Sequence, residues 1–170
     1  MPGKIIGLWN NFRAAAEKNG WATPAEPLYF LKSPHSAAAR EDAAAHILGY
    51  TCANDVTAIE LLNRDPSFPQ WTRAKRFDGF GAFGPHIDTD FDPSTASLHT
   101  LVGGRERQNY ALNDMFFSPP ELVWRLSQDL TLEPGDVILC GTSLGVLPMK
   151  PGTTVEVTID GLGTLRNLYG

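Results

Sequence analysis

The chain has 170 residues, 42% of them hydrophobic and 19% charged, enough to bury one substantial core and too few to require two domains. Its net charge of −5 leaves no basic stripe for a nucleic-acid backbone or an anionic membrane, and no stretch has the length and apolarity of a bilayer-spanning helix. The expectation is a soluble, cytoplasmic single domain over residues 1–170, with small molecules as partners rather than nucleic acid or membrane.

In chain order, residues 4–8 are apolar and β-branched and predict a strand, and the alanine-rich residues 11–18 predict a helix. Pro27-Leu-Tyr-Phe-Leu-Lys32 predicts a second strand behind its proline. Residues 40–49 carry acids at the start and a glycine at the end, the pattern of a short helix. His46 on that helix reads as a packing or surface residue, since no second histidine or carboxylate at a helical spacing forms a convincing binding pair with it. Tyr50 onward reads as a strand, with either Asp55 capping a helix over 56–62 or its carboxylate turned into a polar pocket. Residues 63–70 form a proline-broken loop, and Lys75 is expected in the loop that follows.

The second half is dominated by strands. Ser97–Val102, Gly103-Gly104 and residues 105–110 predict a hairpin with a two-residue glycine turn. Ser118-Pro-Pro-Glu121 predicts a helix start, with a Ser cap, a proline in the first turn and a glutamate three residues on. Strands are then expected over 136–140, over 153–159 with clean alternation, and after the Asp160-Gly161 turn. The sum is a mixed α/β, β-rich roll or sandwich with short peripheral helices. Cys52 and Cys140 fall in apolar strand-like runs without a Cys-x-x-Cys spacing, which points to reduced, packed thiols.

Three stretches combine into possible chemistry. Asp55 follows a strand, Lys75 stands between Arg73 and Arg76, and Gly141-Thr142-Ser143 follows a buried strand with small residues that can offer a hydroxyl and backbone N–H groups to a carboxylate. The ordered motifs Gly49-Tyr-Thr-Cys-Ala-Asn-Asp-Val-Thr-Ala58, Gln70-Trp-Thr-Arg-Ala-Lys75, Phe83-Gly-Pro85, Arg107-Gln108, Asp114-Met-Phe-Phe117, Leu132-Glu-Pro-Gly-Asp-Val-Ile138, Gly141-Thr142 and Gly161-Leu-Gly-Thr-Leu165 resemble the fumarylacetoacetate hydrolase superfamily. Pro27 to Pro34 is similar to the same family's proline-flanked strand. The resemblance implies the C-terminal-domain fold of that family, a homodimer, and an enzyme that cleaves a C–C bond of a small 2-oxo acid. Acylpyruvate-type hydrolysis and oxaloacetate-type decarboxylation are both within its range. It also implies Mg²⁺ or Mn²⁺ held by Asp55 with two glutamates of a Glu-x-Glu strand, Lys75 beside it as the catalytic cation, and Thr142 on the substrate carboxylate. Such an ion accepts the carboxylate and keto oxygens of a 2-oxo acid and stabilises the enolate left by cleavage.

The chain departs from that pattern in places that matter. The Glu-x-Glu strand belongs between Ser36 and Ala37, where the two flanks abut; the expectation is that the complete protein carries it, since losing a buried strand exposes its neighbours' edges. A true deletion points instead to a non-catalytic binding or assembly member of the fold. The positions of the water-activating His and Glu hold Ala15 and Lys18, with Glu17 one place off, which hurts hydrolysis more than decarboxylation. An arginine and a glutamine of the family are Ile59 and Leu62 here, leaving Arg64 or Arg73 to grip substrate. An isomerase or hydratase on the same scaffold differs only in how the proton is delivered.

Overall fold

A computed structural model describes residues 5–30 and 39–170. The Ser36–Ala37 junction lies outside the described residues. Nine strands and four short α-helices are described: β1 Ile5–Trp9, α1 Arg13–Asn19, β2 Leu28–Phe30, β3 Tyr50–Asp55, α2 Ile59–Leu62, α3 Trp71–Lys75, β4 Gly81–Asp88, β5 Ser97–Val102, β6 Arg105–Ala111, α4 Pro119–Asp129, β7 Val137–Leu139, β8 Thr153–Ile159 and β9 Gly163–Tyr169. This is the mixed α/β, strand-rich architecture read from the sequence. Among the described residues no helix is long and apolar enough to cross a membrane.

The largest sheet has the order β6-β5-β8-β9, antiparallel throughout. Its β5–β6 hairpin turns at Gly103 and Gly104, with φ of 57° and 74°, the left-handed pair that a two-residue turn matching the twist of the strands requires. Val155, Val157 and Ile159 alternate inward along β8. With Cys52, Leu112, Leu162 and Leu165 they build one apolar cluster, the side-to-side alternation of a strand with one buried face.

A second sheet, β2-β1-β7, joins the start of the chain to its second half: β1 pairs antiparallel with β2 and parallel with β7. Helix α4 covers it. Leu122 and Leu126 lie one turn apart on its inner face and, with Leu130 just past its end, pack with Ile6, Leu8 and Phe117. Ser118 occupies the N-cap and Pro119 the first turn, as the sequence implied, but the Ser118 side chain makes no capping hydrogen bond. Glu121 reaches Arg125 one turn on instead. The third sheet is the two-stranded ribbon β3–β4.

Residues 40–49 depart from their expectation, and one of the two readings of Asp55 falls away. Residues 40–49 form turns and a single 3₁₀ stretch, Ala43–His46, rather than a regular helix. Its one inward anchor is the fully buried Ala43, so no apolar stripe exists to hold further turns. Asp55 caps nothing: β3 runs through it and α2 starts after Ala58. Both cysteines are free thiols, as expected; burial pushes Cys52 up and Cys140 up to about 11, which holds them as unreactive thiols at neutral pH.

Candidate functional site

Asp55 and Lys75 meet because the chain between them is clamped. Val56 N–H donates to Phe80 O at 3.0 Å and Ala58 N–H donates to Ala74 O at 2.9 Å. Ala74 is fully buried, so α3 is seated against the end of β3 one residue before Lys75. Lys75 is thus the last residue of a helical turn and not part of a loop. Its Nζ donates to Asp55 Oδ2 at 2.5 Å and to Thr57 Oγ1 at 2.8 Å, and lies 5.9 Å from the centroid of the Trp71 ring. The Lys75 side chain is 15% exposed and the Asp55 side chain 37%. An ammonium held this way is positioned more firmly than a surface lysine, whose pairing is weak and mobile.

Trp71 also packs edge-on against Trp9 at 5.6 Å, and Trp9 lies 4.9 Å from Trp21. A shallow cavity of about 210 Å³ is lined by Trp9, Leu28, Tyr29 and Trp71. Trp71 therefore touches both that cavity and the Lys75 ammonium. Arg73 sits on α3 two residues before Lys75 and is exposed. Helical geometry turns residues two apart to different sides, so Arg73 does not share the direction of Lys75.

Thr142 is placed by a separate set of contacts. β7 ends at Leu139 opposite Gly7 of β1, and Asn11, only 2% exposed, locks the exit: its Nδ2 donates to Cys140 O at 2.9 Å while its Oδ1 accepts from Phe117 N–H at 3.1 Å. Gly141 has φ of 100° and Gly145 of 94°. A Cβ at Gly145 would fall 1.8 Å from Arg107 O, so only glycine lets the loop lie down on β6. There Gln108 Nε2 donates to Thr142 Oγ1 at 2.8 Å and to Leu144 O at 3.2 Å, and its Oε1 accepts from Thr100 Oγ1 at 2.9 Å. Tyr110 OH is 3.5 Å from Thr142 Oγ1. Burial raises the Tyr110 phenol above its ordinary range, with the Thr142 contact opposing the shift, so Tyr110 is a neutral hydroxyl at neutral pH.

Sequence reasoning missed Gln108 and Tyr110 as partners of Thr142. Gln108 belongs to the Arg107-Gln108 motif and stands with Tyr110 at alternate positions on β6, a signal of a shared face. Thr57 was legible as a polar neighbour of Asp55 inside the Gly49–Ala58 motif, but not as a partner of Lys75. Ala15 is 8% exposed and packed in α1, and Lys18 is exposed, so neither supplies a base.

Mg²⁺ and Mn²⁺ need several hard oxygen donors. Asp55 offers one carboxylate, already engaged by Lys75. No group of three or more His, Cys, Asp or Glu side chains is placed to hold an ion among the described residues. Residues 1–4 and 31–38 contain neither Asp nor Glu. The donor set does not fit the ion that the resemblance implies.

The model of the fumarylacetoacetate (FAA) hydrolase C-terminal family matches residues 34–168, and the chain belongs to that family. An uncharacterized protein of Archaeoglobus fulgidus is 36% identical over 199 residues, covering 98% of this chain and 78% of the relative. Those 199 aligned positions outnumber the 170 residues here, so the relative carries residues inside the matched span that this chain lacks. The crystal structure of a 5-carboxymethyl-2-hydroxymuconate delta-isomerase from Mycobacterium smegmatis is 36% identical, with a TM-score of 0.85 over 99% of this chain and 78% of that one. A fumarylpyruvate hydrolase from Pseudomonas aeruginosa, in complex with Mn²⁺ and pyruvate, has a TM-score of 0.85 over 99% of this chain and 89% of its own; at 24% identity it shows the fold alone.

Proposed function

We propose that this chain binds a small 2-oxo acid and breaks the C–C bond that leaves its keto end as an enolate, by oxaloacetate-type decarboxylation or acylpyruvate-type cleavage. The single observation that carries this is the clamped Lys75 ammonium at the end of β3, beside Asp55 and Thr57. The 36% identical solved neighbour, a 5-carboxymethyl-2-hydroxymuconate delta-isomerase, acts on a small organic acid, which fits the substrate class. The metal-dependent form of this function, with Mg²⁺ or Mn²⁺ on Asp55, needs acids that the chain does not place there. Its own groups carry the steps below. A homodimer in the cytoplasm is part of the same proposal.

The Thr142 hydroxyl donates a hydrogen bond to the substrate carboxylate, its proton left free for this because Gln108 donates to Oγ1 rather than accepting from it. The keto oxygen faces Lys75. For a 2-oxo acid with a second carboxylate on C3, the C3–C4 bond breaks, CO₂ departs, and the electron pair enters the C2–C3 bond as the keto oxygen becomes an enolate. Lys75 stabilises that charge in place, and water returns a proton to C3. Hydrolysis of an acylpyruvate needs an activated water in addition, and Ala15 and Lys18 provide none, so decarboxylation is the favoured form.

The test is oxaloacetate and an acylpyruvate followed by proton NMR with the chain present. Pyruvate with CO₂ supports decarboxylation. Faster keto–enol exchange without cleavage moves the assignment to the isomerase form, which the 36% identical neighbour favours. Binding of pyruvate without turnover assigns a non-catalytic member, which the single carboxylate favours. Absence of both binding and turnover rejects the proposal.

A further inference from the structure

We infer that the cation of this site is the ammonium of Lys75, standing at Asp55 in place of a divalent ion. The inference concerns the same strand end as the proposed function but does not depend on its substrate.

Three observations carry it. Lys75 is fixed from its backbone outward, by the buried Ala74 and the Ala58–Ala74 hydrogen bond, and its Nζ already spans Asp55 Oδ2 and Thr57 Oγ1. The acids that would complete an ion's shell are missing from the described residues, and residues 1–4 and 31–38 supply no carboxylate. Related chains carry residues within the matched span that this one does not. A divalent ion brought to Asp55 would find one carboxylate and, within contact of it, a like charge. The ammonium needs only one anion and one hydroxyl, and it has both. With its own ammonium on Asp55 the pair is neutral, and Lys75 offers its charge to an anionic ligand only so far as it turns from its partners.

The test pairs metal uptake with a stability cycle on the full chain. In Mn²⁺ titrations followed by electron paramagnetic resonance, the free-ion spectrum should keep its amplitude in the presence of the protein, and EDTA should leave Tm unchanged. Lys75→Met and Asp55→Asn should each lower Tm by about 2–4 °C, the shift of a lost interaction of modest size in a chain of this length, and the double variant should lose clearly less than their sum. Stoichiometric Mn²⁺ uptake that disappears in Asp55→Asn overturns the inference, and so does strict additivity of the two substitutions. Oxalate or pyruvate that fails to bind while Mn²⁺ uptake is absent and the cycle is coupled rejects the proposed function and leaves this inference standing.

Discussion

The β6-β5-β8-β9 sheet and the β3 end with α2 and α3 are held together by different forces. In the sheet, long strands exchange backbone hydrogen bonds along their whole length and lay Val155, Val157 and Ile159 on one apolar face. At the β3 end, α2 has four residues and α3 five, too short to persist alone, and they depend on Ala74, Leu62 and a few backbone contacts across the loop. The candidate site residues Asp55 and Lys75 belong to the second kind of structure, where polar side chains reach the surface without disturbing a core. Thr142 is intermediate: a loop residue tied down by Gln108 from the sheet and by Asn11 from the second core.

That contrast can be broken most visibly from the apolar side. Leu122, fully buried between α4 and β1, should cost about 2–5 kcal/mol when cut to Ala, read as a fall in the denaturation midpoint; a loss below about 1 kcal/mol would mean that α4 does not anchor the second core. Lys75→Ala should act oppositely, with a fold that survives and turnover of a 2-oxo acid reduced about 10²–10³-fold. Unchanged kinetics would make Lys75 a purely structural partner of Asp55. Asn11→Ala tests the link between the regions: it strands Phe117 N–H and Cys140 O, at about 1–3 kcal/mol in chemical denaturation. Thr142→Val should raise KM for the 2-oxo acid by about tenfold, equivalent to about 1.4 kcal/mol for a lost hydroxyl contact, with little change in Tm. Equal KM values would remove Thr142 from the binding surface.

The smallest effect lies at high pH. Tyr29 donates to Asp129 at 2.6 Å, and burial, reinforced by that bond, pushes its phenol from 10.0 up to about 12. Its folded-state pKa is raised, so its stabilisation is complete below pH 10 and fades as pH rises toward 12. Tyr29→Phe should flatten that part of a Tm-against-pH curve, and an unaltered slope would assign the alkaline loss elsewhere.

Alternation along 153–159, the Gly103-Gly104 turn and the helix after Ser118 were legible because each depends on residues close in sequence. The ordered motifs were enough to indicate the family, and the family match over 34–168 bears that out. Local pattern misjudged residues 40–49, where acids and a final glycine suggested a helix without the apolar stripe to sustain one, and it placed Lys75 in a loop. The sequence marked Asp55, Lys75 and Thr142 as residue types suited to a 2-oxo acid, and it showed where carboxylates for an ion are lacking.

Only the tertiary structure decided how those residues are placed. The Asp55–Lys75–Thr57 contacts depend on α3 docking against a strand 20 positions away in sequence from its last residue, and the Gln108–Thr142 contact spans 34. No local propensity encodes such distances. They follow from which apolar faces find each other, and burial of Ala74 and the close approach at Gly145 settle the final placement.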